Sequence, residues 1–535
     1  MRSWIFLIFT SVTCFAAPSS LEEKVSQLVM TADYGDEYQA QKDGKASVAE
    51  IRERVNRLVA ENQVAGVFFQ GKWTPNGLRE RIRQLQNLAK RPLIMAQDME
   101  WGLAMRHDGV VELPKQLCIG AIVDSEAVEE WASACAKEAQ SLGINLILGP
   151  DADIYLYPNN PVIHDRSFGS NPEEVAKKVV TVVNALTQAG IFACVKHFPG
   201  LGRTKKDPHT SLPSLKVSYE ELEKADLVPF KASIAAEVPC VMTTHIALPK
   251  TESGETAASL SPFWVKKVLR DECHFRGVAI TDDLIMGATL AEKTIPTAAV
   301  EAIRAGNDLC LIGRETKESV DAIVAAVQSG ALSEKEIDEH LGRVNQLKRA
   351  IRVQQVGREQ CVASTIELSR RLYKQALTLV GAPLPQKMDQ TLVVQVGSTP
   401  LSPFLRRLSE HIPSLQIDAI RKDPREEDVD GIIDDLRNKK EVLIVLCDLE
   451  RTPATSYGLS KNLLAALQRI SQSGKSIRYI IFGSPYVLSS LPQPLTSALI
   501  AYEATQEAQE AAFEALVGKV RPEGRVPVQL ETPSQ

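Results

Sequence analysis

Acids and imidazoles recur along this chain at places where a fold can bring them together. Asp282 follows Val278-Ala279-Ile280-Thr281, so a carboxylate stands where a strand-like apolar run emerges. Asp283 beside it points the other way in an extended chain and is placed to cap a following helix. In Asp207-Pro208-His209 an imidazole lies two residues from a carboxylate, close enough for the acid to orient the ring and stabilise its charged form. Pro199-Gly200-Leu201-Gly202 gives that segment a tight exit from the preceding run. Asp98, Asp153, Lys196-His197 and His245 each end or follow a further apolar run. A single acid after a strand is commonly a helix cap. A set of them at the same end of successive parallel strands converges on one mouth, where barrel active sites are built.

A carboxylate nucleophile facing an acid/base group is the arrangement of retaining glycoside cleavage, with the two groups ~5 Å apart. The acid/base must give a proton and then take one back, and free imidazole titrates at about 6.5 without help. A carboxylic acid needs burial to reach that range. The His–Asp pair is therefore sufficient for such chemistry, while the residues alone leave the reaction class open.

The elements that must position these groups alternate between short apolar runs and amphipathic stretches, the mark of βα units. Strands are predicted at Val64–Phe69, Leu93–Gln97, Ile144–Leu148, Phe192–Val195, Cys240–Thr244, Val278–Thr281 and Leu309–Ile312. Helical patterns fall between them at Leu78–Ala89, Glu126–Leu142, Pro172–Ala189 and Pro262–Leu269. Seven runs with room for an eighth predict a (β/α)8 TIM-type barrel over residues 17–333. Residues 334–385 read as a helical connector, ended by Gly381-Ala382-Pro383-Leu384-Pro385. Residues 386–535 begin a second alternating series, with strands at Leu392–Val396, Val442–Cys447, Tyr479–Phe482 and Ala498–Tyr502, and predict a smaller α/β sandwich domain.

At 535 residues the chain is too long for one ordinary core. Its 44% hydrophobic and 24% charged content is that of a globular protein, and a net charge of -6 without long basic runs argues against nucleic acid. Arg2, the apolar stretch Trp4–Phe15 and the small residues after it read as a signal peptide over 1–16, so export to a periplasm or medium is expected. The stretch is shorter than the ~18 residues of a stable membrane span. Nine cysteines are scattered singly with no C-x-x-C pair, so neither a disulfide framework nor a metal site is expected.

Several segments also carry a resemblance. Lys196-His197-Phe198-Pro199-Gly200-Leu201-Gly202 followed by Asp207-Pro208-His209 resembles the K-H-F-P-G-x-G-x4-D-x-H segment of glycoside hydrolase family 3 β-N-acetylglucosaminidases of the two-domain type. Thr281-Asp282-Asp283-Leu284-Ile285-Met286 is similar to their nucleophile segment. Asn160-Pro161-Val162-Ile163 with Arg166-Ser167-Phe168-Gly169, and Asp98-Met99-Glu100-Trp101-Gly102, resemble two further barrel motifs, and Phe482-Gly483-Ser484-Pro485-Tyr486 with Ala501-Tyr502-Glu503 resemble the C-terminal sandwich. The resemblance implies Asp282 as nucleophile, His209 with Asp207 as acid/base, and Asp98, Arg166, Lys196 and His197 as holders of sugar hydroxyls, with Asp153, His245 and Met286 nearby. It implies no cofactor, a substrate carrying terminal N-acetyl-β-glucosamine, and, for an exported enzyme, peptidoglycan-derived muropeptides. A phosphorylase using the same dyad and a non-catalytic carbohydrate-binding barrel are the competing readings. Pro208 departs from the family's small residue between Asp and His, Leu103 from its Arg (Arg106 is kept), and Leu201 from a common His.

Overall fold

The computed structural model of the chain describes residues 20–530, except 45, 291–292, 352–357, 386–387, 398–400 and 452. The expected signal peptide lies outside the described residues. Eight parallel strands form the first sheet: β1 (Val29–Tyr34), β2 (Gly66–Gln70), β3 (Ile94–Gln97), β4 (Leu146–Ile147), β5 (Phe192–Phe198), β6 (Cys240–Thr243), β7 (Val278–Thr281) and β8 (Cys310–Ile312). They run in the order β8-β1-β2-β3-β4-β5-β6-β7. Closure between β7 and β8 is made by an Ile280–Leu309 bridge, with Thr281 N–H donating to the Leu309 carbonyl at 2.9 Å and Leu284 N–H to that of Leu311 at 3.0 Å. The result is the expected barrel, and the strand that the hydrophobic pattern passed over is β1.

The reason is chemical. β1 reads Val-Met-Thr-Ala-Asp-Tyr and is buried at every position, although two of its residues are polar. Thr31 Oγ1 meets Thr316 Oγ1 at 3.0 Å, and the Asp33 carboxylate takes the Arg81 Nε–H at 2.6 Å. Arg81 comes from the helix Pro75–Leu88 that covers this part of the barrel. A buried charge stays charged only when it is paired, and here the pairing partner lies ~50 residues away in sequence.

Helices α1 (Ser125–Leu142) and α2 (Pro172–Gln188) pack side by side on the barrel's outside, their ends fixed by Asp124 and Asn171, whose side chains accept N–H groups of the first turn. Helices α3 (Glu334–Arg349) and α4 (Arg358–Ala376) follow the barrel. The span read as a connector also contains a strand, β9 (Thr378–Gly381), which pairs antiparallel with the last strand of the second sheet.

That sheet contains β10 (Thr391–Val396), β11 (Ile417–Ile420), β12 (Glu441–Leu446), β13 (Ser476–Ile481) and β14 (Ser497–Ile500), in the order β9-β14-β13-β12-β10-β11. All pairs but β9–β14 are parallel. The sequence pattern missed the two edge strands, β9 and β11, whose exposed residues break the apolar run. Among the described residues no helix is long and apolar enough to cross a membrane, and the cysteines described are unpaired.

Candidate active site

Every candidate group comes from the carboxyl end of a barrel strand or from the loop that follows one, as βα topology requires. After β3, the turn Asp98-Met99-Glu100-Trp101-Gly102 carries two acids into a knot of cations. Asp98 Oδ1 lies 2.7 Å from Lys196 Nζ, and Oδ2 lies 2.5 Å from Arg106 Nη2. Glu100 accepts a fork from Arg166, Nε at 2.9 Å and Nη2 at 2.7 Å, and also meets Lys196 at 2.7 Å. Burial would raise both acids, but the adjoining cations outweigh it: Asp98 is held far below the carboxylate range by Lys196 and Arg106, and Glu100 at about 2 by Arg166 and Lys196. Lys196 is held charged against burial by Asp98 and Glu100. Fixed, alternating charges of this kind suit the hydroxyls of a sugar, which both donate and accept.

Below them the loop after β4 supplies Asp151 and Asp153. Asp153 Oδ2 faces His197 Nδ1 at 2.7 Å, and Oδ1 accepts the Leu201 N–H at 2.5 Å, so this acid ties the end of β5 to the loop that follows. Burial lowers His197 to about 4 and raises Asp153 to about 6. Asp151 is pushed upward by burial and by the charge of Asp153. His197 is thus a neutral ring with Nδ1–H toward Asp153, and its Nε2 lies 3.3 Å from Arg166. Among the described residues, Asp151, Asp153 and His197 are the group spaced for a metal, their ligand atoms lying within 4.8 Å of one another. Arg166 Nη2 already stands 3.4 Å from Asp151, so an ion there would have to displace a guanidinium.

Asp282 emerges from β7 with its Oδ1 accepting the Asp283 N–H at 2.9 Å. Burial favours its neutral form, but the imidazoles of His197, His245 and His209 and the Asp283 N–H outweigh it and keep the carboxyl below its usual range. The group is therefore an anion at neutral pH. His245, expected beside the sugar, is fully buried with both ring nitrogens used, Nδ1 on Ser259 Oγ at 2.7 Å and Nε2 on the Asp283 carbonyl at 3.1 Å. It braces the turn behind Asp282 and has no nitrogen left for a substrate. Met286 is buried four residues beyond Asp282.

The Asp207-Pro208-His209 segment is docked against this same turn. The His209 carbonyl accepts the Gly287 N–H at 3.2 Å, and the Pro208 carbonyl accepts that of Ala288 at 3.1 Å. Asp207 Oδ1 lies 2.7 Å from His209 Nδ1 and also accepts the His209 N–H at 2.9 Å. The bond to Asp207 raises the imidazole, with burial opposing and the charges of Asp207 and Asp282 adding. Gly202 is required upstream, because a Cβ there would collide with the Ile154 carbonyl. Glu100 and Asp151 were not among the groups singled out from sequence. Glu100 sat in a quoted motif, and Asp151 precedes Asp153 by two residues, the spacing that puts both on one side of an extended chain.

Comparison with known proteins accords with this arrangement. The glycosyl hydrolase family 3 N-terminal domain matches residues 20–347. Beta-hexosaminidase A of Pseudoalteromonas piscicida is 24% identical over 98% of this chain and 99% of its own length. A beta-hexosaminidase of Stenotrophomonas maltophilia (strain R551-3) is 33% identical over 48% of this chain and 76% of its own. Among solved structures, a glycoside hydrolase family 3 beta-N-acetylglucosaminidase from Paenibacillus sp. str. FPU-7 is similar with a TM-score of 0.78 and 29% identity, covering 96% of this chain and 99% of that one. With its barrel, its strand-end carboxylates and these relatives, this chain belongs to glycosyl hydrolase family 3 and is a glycoside hydrolase.

Proposed function

We propose that the enzyme is a retaining exo-β-N-acetylglucosaminidase that removes terminal N-acetyl-β-glucosamine, acting outside the cytoplasm on muropeptides derived from peptidoglycan. The observation that carries the reading is the docking of the Asp207–His209 loop on Gly287 and Ala288, which brings an imidazole to the turn that holds an ionised Asp282. Asp282 attacks the anomeric carbon while His209, protonated and oriented through Nδ1 by Asp207, gives its Nε2 proton to the departing oxygen. Water then attacks the glycosyl-enzyme, with His209 taking the proton back. Asp98, Arg166 and Lys196 hold the sugar's hydroxyls through both steps, with Glu100 and His197, whose polar atoms are spent on Arg166, Lys196 and Asp153, fixing their aim. The names borne by the relatives from Pseudoalteromonas, Stenotrophomonas and Paenibacillus support the choice of sugar.

The test is release of an aryl leaving group from its β-N-acetylglucosaminide and from the β-glucoside, each with and without phosphate. Phosphate-independent turnover that prefers the N-acetyl sugar, with first-formed β-anomer by NMR, is expected, and Asp282→Ala should lower kcat by at least ~10³-fold. A rate that climbs with phosphate and yields sugar 1-phosphate would make the enzyme a phosphorylase instead.

A further inference from the structure

The barrel loop between β4 and α2, residues 148–171, carries Asp151, Asp153 and Arg166, yet its only helix is the single turn His164–Arg166. Ordering an irregular segment costs conformational entropy that its few internal bonds do not offset, so bonds from outside help to hold it. Many of those bonds come from the second domain. In its sheet β14, β13 and β12 are neighbours, and the segment following each reaches this side of the barrel. After β12, Arg451 pairs with Asp165, the residue beside Arg166. After β13, Tyr486 Oη donates to the Tyr155 carbonyl at 3.0 Å, and the two rings meet edge to face at 4.9 Å. After β14, Glu503 accepts the Lys115 N–H at 2.8 Å, and Lys115 Nζ reaches Asp165 at 2.9 Å. The C-terminal tail closes the set: the Pro527 carbonyl accepts the Ser170 N–H at 3.0 Å, and Gln529 N–H donates to Ser170 Oγ at 2.8 Å.

The carboxyl edge of a parallel α/β sheet is where such domains usually bind ligands. Here that edge is turned onto a loop of the neighbouring domain. We infer that the second domain is a clamp for the sugar site, with Arg451, Tyr486 and Glu503 as positioning residues that set Arg166 and Asp153 through the β4–α2 loop. None of the three needs to touch substrate. Asp165 is held by Lys115 from the barrel and by Arg451 from the second domain, and the next residue forks Glu100. Removing Arg451 takes away one of the two cations that hold Asp165, and with it part of the restraint on the backbone that aims Arg166. The kinetic expression of this inference rests on the sugar-binding reading given above.

Kinetics on the aryl β-N-acetylglucosaminide and amide hydrogen exchange across residues 148–171 test it together, using the full chain. Because Arg451 is half exposed, the expected rise in KM for Arg451→Ala is modest, about three- to tenfold with kcat little changed, and Arg451→Lys should recover most of it. Tyr486→Phe, which keeps the ring contact and so the fold, should speed exchange in the same loop. Arg469→Ala, which breaks the surface pair with Asp430, should alter neither KM nor exchange there. Unchanged KM in Arg451→Ala together with wild-type exchange in the loop for both clamp variants would overturn the clamp. If the wild-type enzyme fails to turn over the N-acetylglucosaminide, the functional reading falls, and exchange alone then decides for or against the clamp.

Discussion

At the scale of single residues, the site separates groups that must carry a proton from groups that must not. Asp282 is kept ionised, and His197 is kept neutral by burial, while His209 is raised because Asp207 accepts its Nδ1–H. In the proposed mechanism His209 must be protonated when substrate arrives, so its titration sets the basic limb of kcat/KM. Asp207→Asn removes the anion that raises the ring. The basic limb should move to lower pH and the plateau should fall, whereas Asp207→Glu should hold the limb nearer its wild-type position. A profile for the asparagine variant that superimposes on wild type after scaling would mean another group limits the basic side. Much of this site was legible from residue type and position alone. Asp282 and Asp98 stand out because acids at the ends of several parallel strands converge on one mouth, whereas the Asp207–His209 pair lies in the loop after β5 and takes its role from the family resemblance. His245 carried the same signal for a different reason: its two nitrogens serve the turn behind Asp282, and only the distances to Ser259 and Asp283 reveal it.

At the scale of elements, helix α1 reaches the candidate site from behind. Glu138 on α1 is buried, and its Oε2 accepts the Leu103 N–H at 2.8 Å, capping the short turn that follows Glu100. Gly102 must lack a side chain here, since its φ is +81° and a Cβ would collide with the Glu138 carboxyl. Burial raises Glu138 from 4.5 to about 8, opposed by the Leu103 N–H, and of its neighbours Cys135 is itself raised by burial and by the Glu138 charge. Between those two values the folded chain holds a proton that the unfolded chain has released. Stability therefore falls as pH rises through that window. Glu138→Gln keeps an acceptor for Leu103 and removes the titration. Its stability relative to wild type should improve with rising pH across the window, by at most about 1.4 kcal/mol per unit, and show no trend below it. Parallel denaturation curves at pH 5 and pH 8 would show that this carboxyl does not change its proton on unfolding. Periodicity found α1 readily, because its buried stripe recurs at helical spacing. It missed β1, β9 and β11 because those strands satisfy polar groups by long-range partners or lie at sheet edges, where apolar content is not required.

At the scale of the whole molecule, the division into a barrel and a smaller α/β unit follows from two alternating series in the sequence, but their mutual dependence does not. It is written in contacts between residues hundreds of positions apart, such as Tyr155 with Tyr486 and Ser170 with Gln529. The tail adds a further joint. Gly524 N–H donates to the Leu377 carbonyl, Arg525 N–H to that of Ala121, and Pro527 lies across Gly120 and Gly169. Gly169 has a φ of +149°, and a Cβ on it would collide with the Pro527 carbonyl. Alanine there both strains the backbone and pushes the tail off the barrel, two named costs that together amount to about 3 kcal/mol or more. With the joint intact, calorimetry should record one cooperative transition for both domains, since neither unfolds without exposing its half of the interface. Gly169→Ala should lower the midpoint and split the transition, with the barrel melting first because its β4–α2 loop loses the outside bonds it depends on. A single transition at the wild-type midpoint would mean the tail packs against the barrel without stabilising it, and the coupling of the two units would have to rest on the Arg451, Tyr486 and Glu503 contacts instead.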